Sequence, residues 1–343
     1  MSASRRSLTF RFAVLAMLVG LAAACVSRED SSGVEAAPAT VPLSELSGLT
    51  LQVGDQKGGT EALLTAAGAL ENLPYKIAFS TFTSGPPQIE AATAGKIDFA
   101  ITGNTPPIFG AASNAKVKVV SAYDGSGRGD RILVHADSPV RAVADLRGKR
   151  IAVGKGSSAH GNVLAQLNRV DLSPSDATLV FLQPADALGA FTNRQVDAWA
   201  VWDPYTAQAE AEIPVRSIAQ ATGITNGAGF GVASDEALAD PKRNTALGDL
   251  LVRYAKAVRW AKDHPDEWAQ KYASDVGLDP KVADAAQGRS LRLPTALSDE
   301  LVGTEQELAD LFAESKQIAT APEFDNWVDR RFSDALNPLL ITR

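Results

Sequence analysis

The sequence predicts an α/β protein of two similar lobes with a ligand cleft between them, and three observations carry that expectation. The stretch LTLQVGDQKGGTEALLTAAGAL from Leu49 is a β-like run, a Gly-rich turn and an Ala/Leu helix. KRIAVGKGSSAHGNVLAQL from Lys149 repeats that plan, with Val53-Gly54 and Val153-Gly154 in equivalent places. A second unit also recurs: KIDFAITGNTPP from Lys96 and QVDAWAVWDPY from Gln195 each read as a polar lead, a β-branched residue, an aspartate and an apolar strand ending in a polar loop. About 300 residues lie beyond the N-terminal region and 45% of the whole chain is hydrophobic, enough for two cores of ordinary size. Ligands of open α/β sheets bind at the carboxyl ends of the strands, so two such lobes facing each other make a cleft.

Residues 1–24 read as a secretion signal. Ser4-Arg5-Arg6 and Arg11 give a basic start, residues 12–21 an apolar core too short to cross a bilayer, and Ala22-Ala23-Ala24 a small-residue end. Cys25, the only cysteine, follows these alanines directly, which suits a lipid acceptor and leaves no intramolecular disulfide. This resembles a bacterial lipoprotein signal, although Ala22 stands where such signals usually carry leucine; cleavage by a general signal peptidase, giving a periplasmic or secreted form, is the alternative. The paired arginines leave Sec and twin-arginine export both open. Residues 25–47 are small, polar and proline-containing, and read as a flexible tether. No later segment approaches the length of an apolar membrane span, so the remainder is expected to be held at the membrane from outside through its lipid anchor.

Lobe I is expected to take residues 48–133 together with 238–343, and lobe II residues 134–237. GFGVAS from Gly229 is a further β-like run. From Thr245 the pattern turns helical, with Leu247, Leu250, Leu251, Tyr254, Ala257 and Val258 on one face and Pro265 marking the next boundary. ELADLFAESKQI and FDNWVDRRF read as further helices. With no additional Gly-rich loop, this C-terminal part is assigned to packing on lobe I.

The net charge of −7 argues against nucleic acid or an anionic membrane surface as partner, and leaves the sign of a small ligand open. Four helix starts share one chemistry: Gln56-Lys57-Gly58-Gly59-Thr60, Ser84-Gly85-Pro86, Gly103-Asn104-Thr105-Pro106-Pro107 and Lys155-Gly156-Ser157-Ser158-Ala159-His160. A helix N-terminus leaves backbone N–H groups unpaired and carries the positive end of the dipole, so small residues there let an anion approach closely. Together they suggest an oxyanion site made without a buried arginine, with Ser157 or Ser158 as hydroxyl donors and His160 facing the same space. Trp202 would supply an apolar wall, and Asp203 would accept a hydrogen bond or make a lobe-closing contact. The plainer alternative is that a serine caps the helix, His160 lies on the surface and Trp202 fills core.

Catalysis is not expected. Gly156-Ser157-Ser158-Ala159-His160 misses the nucleophile-elbow pattern, and residues two apart on a helix do not face each other, so a hydrolase using Ser158 and His160 with Asp203 as acid is the weaker reading. His135, His160 and His264 are not spaced as metal ligands, and Gly154-Lys155-Gly156-Ser157 is too short for a P-loop, so no metal or cofactor is expected.

The segments GDQKGGT, TGNTPPIF, DSPVRAVADLRGKRIAVGKGSSAH, FLQPADALGAF and VDAWAVWDPY resemble the solute-binding proteins of ABC importers for aliphatic sulfonates, within the broader nitrate, sulfonate and taurine group. The resemblance runs from about Leu49 to the C-terminal helices. It implies a type II periplasmic-binding-protein-like fold, two α/β lobes joined by two crossover segments, with the loops at Gln56, Ser84, Asn104, Ser158 and Trp202 lining the cleft. It implies a monomeric receptor that hands a small organic sulfonate to an ABC permease with its ATPase subunits. That fold also hosts a pyrimidine-precursor synthase, whose histidine- and cysteine-bearing site has no counterpart here. Gly59 stands where the family commonly has serine and Asn104 where it often has aspartate, which leaves taurine, nitrate, sulfate esters or aromatic acids as alternative cargo.

Overall fold

The computed structural model describes residues 37–57 and 59–342; the expected signal, Cys25 and Gly58 lie outside the described residues. The chain opens with β1 (Thr50–Gln56), α1 (Gly59–Ala66), β2 (Lys76–Phe82), α2 (Gly85–Thr93), β3 (Phe99–Gly103), α3 (Thr105–Ala112) and β4 (Val117–Asp124). It crosses to a second lobe of β5 (Arg131–His135), β6 (Arg150–Val153), α4 (Ser158–Asn168), β7 (Thr178–Phe181), α5 (Pro184–Thr192), β8 (Ala198–Val201), α6 (Tyr205–Glu212) and β9 (Val215–Gln220). The return brings β10 (Ala228–Ser234), α7 (Asp235–Ala239), α8 (Pro241–Asp263), α9 (Pro265–Val276), α10 (Pro280–Ser290), β11 (Leu293–Thr295), α11 (Asp299–Glu314) and α12 (Ser333–Leu336).

The two sheets share one plan. In lobe I the order is β11-β4-β10-β3-β1-β2, and in lobe II it is β7-β6-β8-β5-β9. β1 pairs parallel with β2 and β3 as β6 does with β7 and β8, which is the structural form of the repeated sequence units. Each sheet then takes an antiparallel strand on the far side of its third parallel strand, β10 in lobe I and β5 in lobe II. The lobe I sheet is covered on both faces: Leu51, Leu63, Leu250 and Tyr254 belong to one core cluster, Ile108, Phe230, Leu308 and Phe312 to another. A third cluster fills lobe II around Val153, Phe191 and Trp199.

Helix starts follow local chemistry. Asp240 accepts from the N–H groups of Lys242 and Arg243 ahead of Pro241 at the first turn of α8, and Ser298 caps α11 by accepting from Leu301 N–H. The apolar stripe expected from Leu247 to Val258 is buried.

The expected lobe limits shift in three places. The crossovers are residues 125–130 and 221–227, so the boundary at 133/134 cuts through β5, and β10, expected in lobe II, belongs to lobe I between β3 and β4. β10 is buried along its whole length, and a continuous apolar run reads alike in either lobe. The tether does not extend to residue 47: Leu46 is fully buried in the lobe I core and Val41 N–H donates to Thr245 Oγ1 at 3.1 Å. Within FDNWVDRRF only Phe324–Trp327 is helical, as a single 3₁₀ turn.

Candidate functional site

Between the lobes lies a cavity of about 150 Å³. Gln56, Lys57, Gly59 and Thr60 reach it from the junction of β1 and α1, Gly103 from the end of β3, Ser158 from the start of α4, and Trp202 and Asp203 from the end of β8. Both crossovers run along it through Gly125, Gly127, Gly129, Asp130 and Gly227. The approach of the lobes is close, since a Cβ on Gly103 would stand 3.0 Å from Ser158 Cβ. This is the strand-end geometry that two facing α/β lobes predict.

Gln56, Lys57, Gly103, Ser158, Trp202 and Asp203 therefore line the cavity, while Ser84, Gly85, Asn104, Thr105, Ser157 and His160 do not. Ser84 Oγ instead donates across the lobes to Gln183 Oε1 at 3.2 Å. A Cβ at Gly85 would stand 2.5 Å from Pro106 Cγ, so glycine there lets α2 pack on α3. Asn104 and Thr105 are spent on the crossover: Thr105 Oγ1 donates to Asn104 Oδ1, Asn104 Nδ2 donates to Asn226 Oδ1 at 3.0 Å, and Asn226 Nδ2 donates to Glu305 Oε2 at 2.6 Å. Burial pushes the Glu305 carboxyl up to about 8, with the Asn226 amide opposing. Ser157 neither caps α4 nor faces the cavity, because its Oγ donates back to the Gly154 carbonyl at 2.6 Å.

His160 is fully buried among aromatic rings, its centroid 5.1 Å from that of Phe312, 5.2 Å from Phe181 and 6.0 Å from Phe109. Its Nδ1 accepts from Gly156 N–H at 3.2 Å. Burial, reinforced by Lys155 and opposed by Gln317, pushes its pKa down to about 3, so the ring is neutral. Ser158 Oγ donates to Asp130 Oδ1 at 3.2 Å. Ser158 and His160 thus form no nucleophile–base pair.

The helix-start account of anion binding also changes. Asp55, 1% exposed, accepts from Thr60 N–H at 2.8 Å and Glu61 N–H at 3.0 Å, so the first turn of α1 already holds a carboxylate of its own chain. An arginine does reach the cavity, although the helix starts suggested an oxyanion site without one: Arg292 lines it and has no ion-pair partner among the described residues. It sits in the short link between α10 and β11, in the C-terminal part assigned to packing alone. That part also supplies Tyr254, Trp268, Tyr272, Gln287 and Ser290 to the wall. No sequence signal marks them, since an aromatic on a helix face looks the same whether it meets core or cavity. Trp202, 7% exposed and set edge-on to Tyr205, lines the cavity and also belongs to the lobe II core cluster. At Gly59 a Cβ would meet only Tyr272, at 3.8 Å, so its lack of a side chain leaves open space beside that ring.

Asp203 makes a contact between the lobes. Its carboxylate takes two bonds from Arg289 of α10, at 2.6 and 2.8 Å, and one from Ser290 Oγ at 2.6 Å. Arg289 also meets Glu210 at 2.9 Å, and Glu210 pairs with Arg131 at 2.7 Å. Among the described residues no group of three or more His, Cys, Asp or Glu side chains is placed to hold a metal ion, and no helix is long and apolar enough to cross a membrane.

Residues 70–270 match the family described as ABC transporter, phosphonate, periplasmic substrate-binding protein. The chain is similar to a putative aliphatic sulfonates-binding protein of Escherichia coli (strain K12), 32% identical over 80% of this chain and 87% of the relative, and to one of Bacillus subtilis (strain 168), 34% identical over 77% and 79%. Among solved structures, the alkanesulfonate-binding protein SsuA of Xanthomonas axonopodis pv. citri, bound to MOPS, superposes with a TM-score of 0.76 at 31% identity, covering 83% of this chain and 99% of that one. The desulfurization enzyme DszB shares only the fold, at 18% identity and a TM-score of 0.59. With one family matched over more than half its length, and two relatives above 30% identity over most of theirs, this chain belongs to the periplasmic substrate-binding proteins of ABC transporters.

Proposed function

We propose that the protein is an extracytoplasmic receptor that captures a small organic sulfonate between its lobes and delivers it to an ABC permease. The observation that carries this reading is Arg292, a guanidinium without an ion-pair partner among the described residues, in a cavity whose lining also includes the aromatic residues Trp202, Tyr254, Trp268 and Tyr272. A trigonal RSO₃⁻ head suits the planar donor fork of arginine, with Gln56 and Ser158 as further polar contacts. Its carbon tail suits the aromatic wall. About 150 Å³ is the volume at which an engineered protein cavity takes up benzene, so a short chain fits where nitrate would leave most of the space unfilled. The relatives named for aliphatic sulfonates support the same ligand class. Closure would join Asp203 to Arg289 and Ser290 and exclude water, and release would require parting them at the permease. The protein acts as a binder and not as an enzyme, a reading supported by the separation of Ser158 from His160. Lipid attachment at Cys25, on the strength of its place after three alanines, would hold it at the outer face of the cell membrane.

Calorimetric titration of the chain without residues 1–25 tests this against ethane-, pentane- and octanesulfonate, ethylphosphonate, nitrate and sulfate. Alkanesulfonates should bind, with affinity rising until the tail fills the cavity, and Arg292→Ala should weaken them by roughly a hundredfold, the cost of one charge-assisted contact in a desolvated site. Tighter binding of ethylphosphonate, or silence towards every sulfonate, would sink the ligand assignment.

A further inference from the structure

We infer that capture of the anion is coupled to the uptake of one proton by Asp130, because the Ser158 hydroxyl that would meet the ligand is already given to that carboxylate. This rests on the sulfonate reading and adds a solvent proton to the bound state.

Ser158 and Asp130 line the cavity together. A serine hydroxyl has one proton to donate, and that of Ser158 goes to Asp130 Oδ1 at 3.2 Å. Turned towards a sulfonate oxygen instead, it leaves the Asp130 carboxylate with no side-chain hydrogen bond among the described residues. Kept on Asp130, it shows an incoming anion only lone pairs. A protonated Asp130 removes the conflict: its O–H donates to Ser158 Oγ, and the Ser158 O–H donates to the sulfonate. The sulfonate is ionised at any ordinary pH and has no proton to give, so the proton comes from solvent.

Asp130 is also held in place. Its carbonyl accepts from Ala221 N–H at 3.0 Å and from Asn162 Nδ2 at 3.4 Å, which ties it to the second crossover and to α4. The cations near it are engaged elsewhere: Arg289 with Asp203 and Glu210, Arg131 with Glu210, and Lys57 over the Tyr205 ring, 5.6 Å from the centroid. Arg292, the other cation of the lining, is the group that meets the sulfonate. Burial pushes the Asp130 carboxyl up to about 7, opposed by Ser158 and Arg292 and reinforced by Asp203. An anion that draws Ser158 and Arg292 to itself removes both opposing influences and adds a like charge, which raises it further. Tyr254 and Tyr272, in the same wall, are pushed above the ordinary tyrosine value by burial and keep their protons.

Calorimetric titration of ethanesulfonate into the chain without residues 1–25, in Tris and in bicine, counts the proton, since these buffers carry no sulfonate and differ in ionisation enthalpy. At pH 8 the wild type should take up close to one proton per ligand and at pH 5.5 almost none, with affinity falling by up to about tenfold per pH unit above about 7. Ethanesulfonate keeps its single charge across that range. In Asp130→Asn the amide N–H donates to Ser158 as the acid would, so affinity should be level with pH and about tenfold tighter than the wild type at pH 8. No proton uptake by the wild type at pH 8, an affinity that rises with pH, or equal uptake in Asp130→Asn would each overturn the inference while leaving the sulfonate reading intact. The wild-type count needs no variant, so a misfolded Asp130→Asn leaves the test standing. No binding at any pH would remove both readings.

Discussion

Asp203 meets Arg289 and Ser290 across the lobes through charged hydrogen bonds, whereas around His160 the helix α4 of lobe II meets α3 and α11 of lobe I through the rings of Phe109 and Phe312. The first junction is made of groups that water can take back when they part. The second is made of groups that water penalises, with Leu164 of α4 counted in the same apolar cluster as Ile108 and Leu308. Separating the charged junction therefore costs less than its geometry suggests, because each ion regains hydration; separating the aromatic one exposes apolar area with no return. If the lobes part, the difference predicts that they do so at the charged side and stay attached at the aromatic side.

Truncating the aromatic side should show the largest effect. Phe312 is fully buried and packs edge-on against both Phe109 and His160, so Phe312→Ala should cost about 4 kcal/mol of stability, seen as a lower denaturation midpoint, with ligand affinity nearly unchanged. If affinity collapsed while stability held, the two junctions would have exchanged roles. On the charged side, Asp203→Ala leaves Arg289 with Glu210 as its remaining partner and should weaken ligand binding by about 3 kcal/mol, roughly a hundredfold, while the midpoint stays within a few degrees. Small-angle scattering on the same variant should show a larger radius of gyration in the presence of ligand than the wild type has; an unchanged radius would speak against a latch.

The smallest effect is one of pH. The folded-state pKa of His160, near 3, lies below its unfolded value of 6.5, so stability is at its full level above pH 6.5 and falls as the pH drops towards 3, where the unfolded chain binds a proton that the folded one refuses. Its imidazole resonances should stay fixed between about pH 5 and 8. A midpoint near 6.5 for that ring would mean that water reaches it and that the aromatic junction opens with the charged one.

The same pairing shows how far the residues could be read in advance. The recurrence of Val53-Gly54 at Val153-Gly154, and of the Asp98 and Asp197 units, announces two parallel cores of one plan, because hydrophobic periodicity and turn chemistry are local properties. Gln56, Gly103, Ser158 and Trp202 were legible as cavity residues for the same reason: each ends a strand or begins a helix, and the ends of parallel strands are where such folds bind. Asn104 and His160 carried the same local signature, yet their neighbours turned them away, one into the crossover network with Asn226 and Glu305, the other among phenyl rings.

Sequence alone determined the fold class, the repeated strand-loop-helix units and the strand ends that frame the cleft, since these depend on contacts between residues near one another in the chain. The tertiary structure decided which polar groups remain unspent. Arg292 reaches the cavity because α10 ends at Ser290 and the chain turns into β11 at Leu293, and Asp130 forms no ion pair among the described residues because Arg289 and Arg131 are drawn to Asp203 and Glu210. The charge of a binding site is what is left after every other ion has found its partner, and the partners here lie 79 to 86 residues apart.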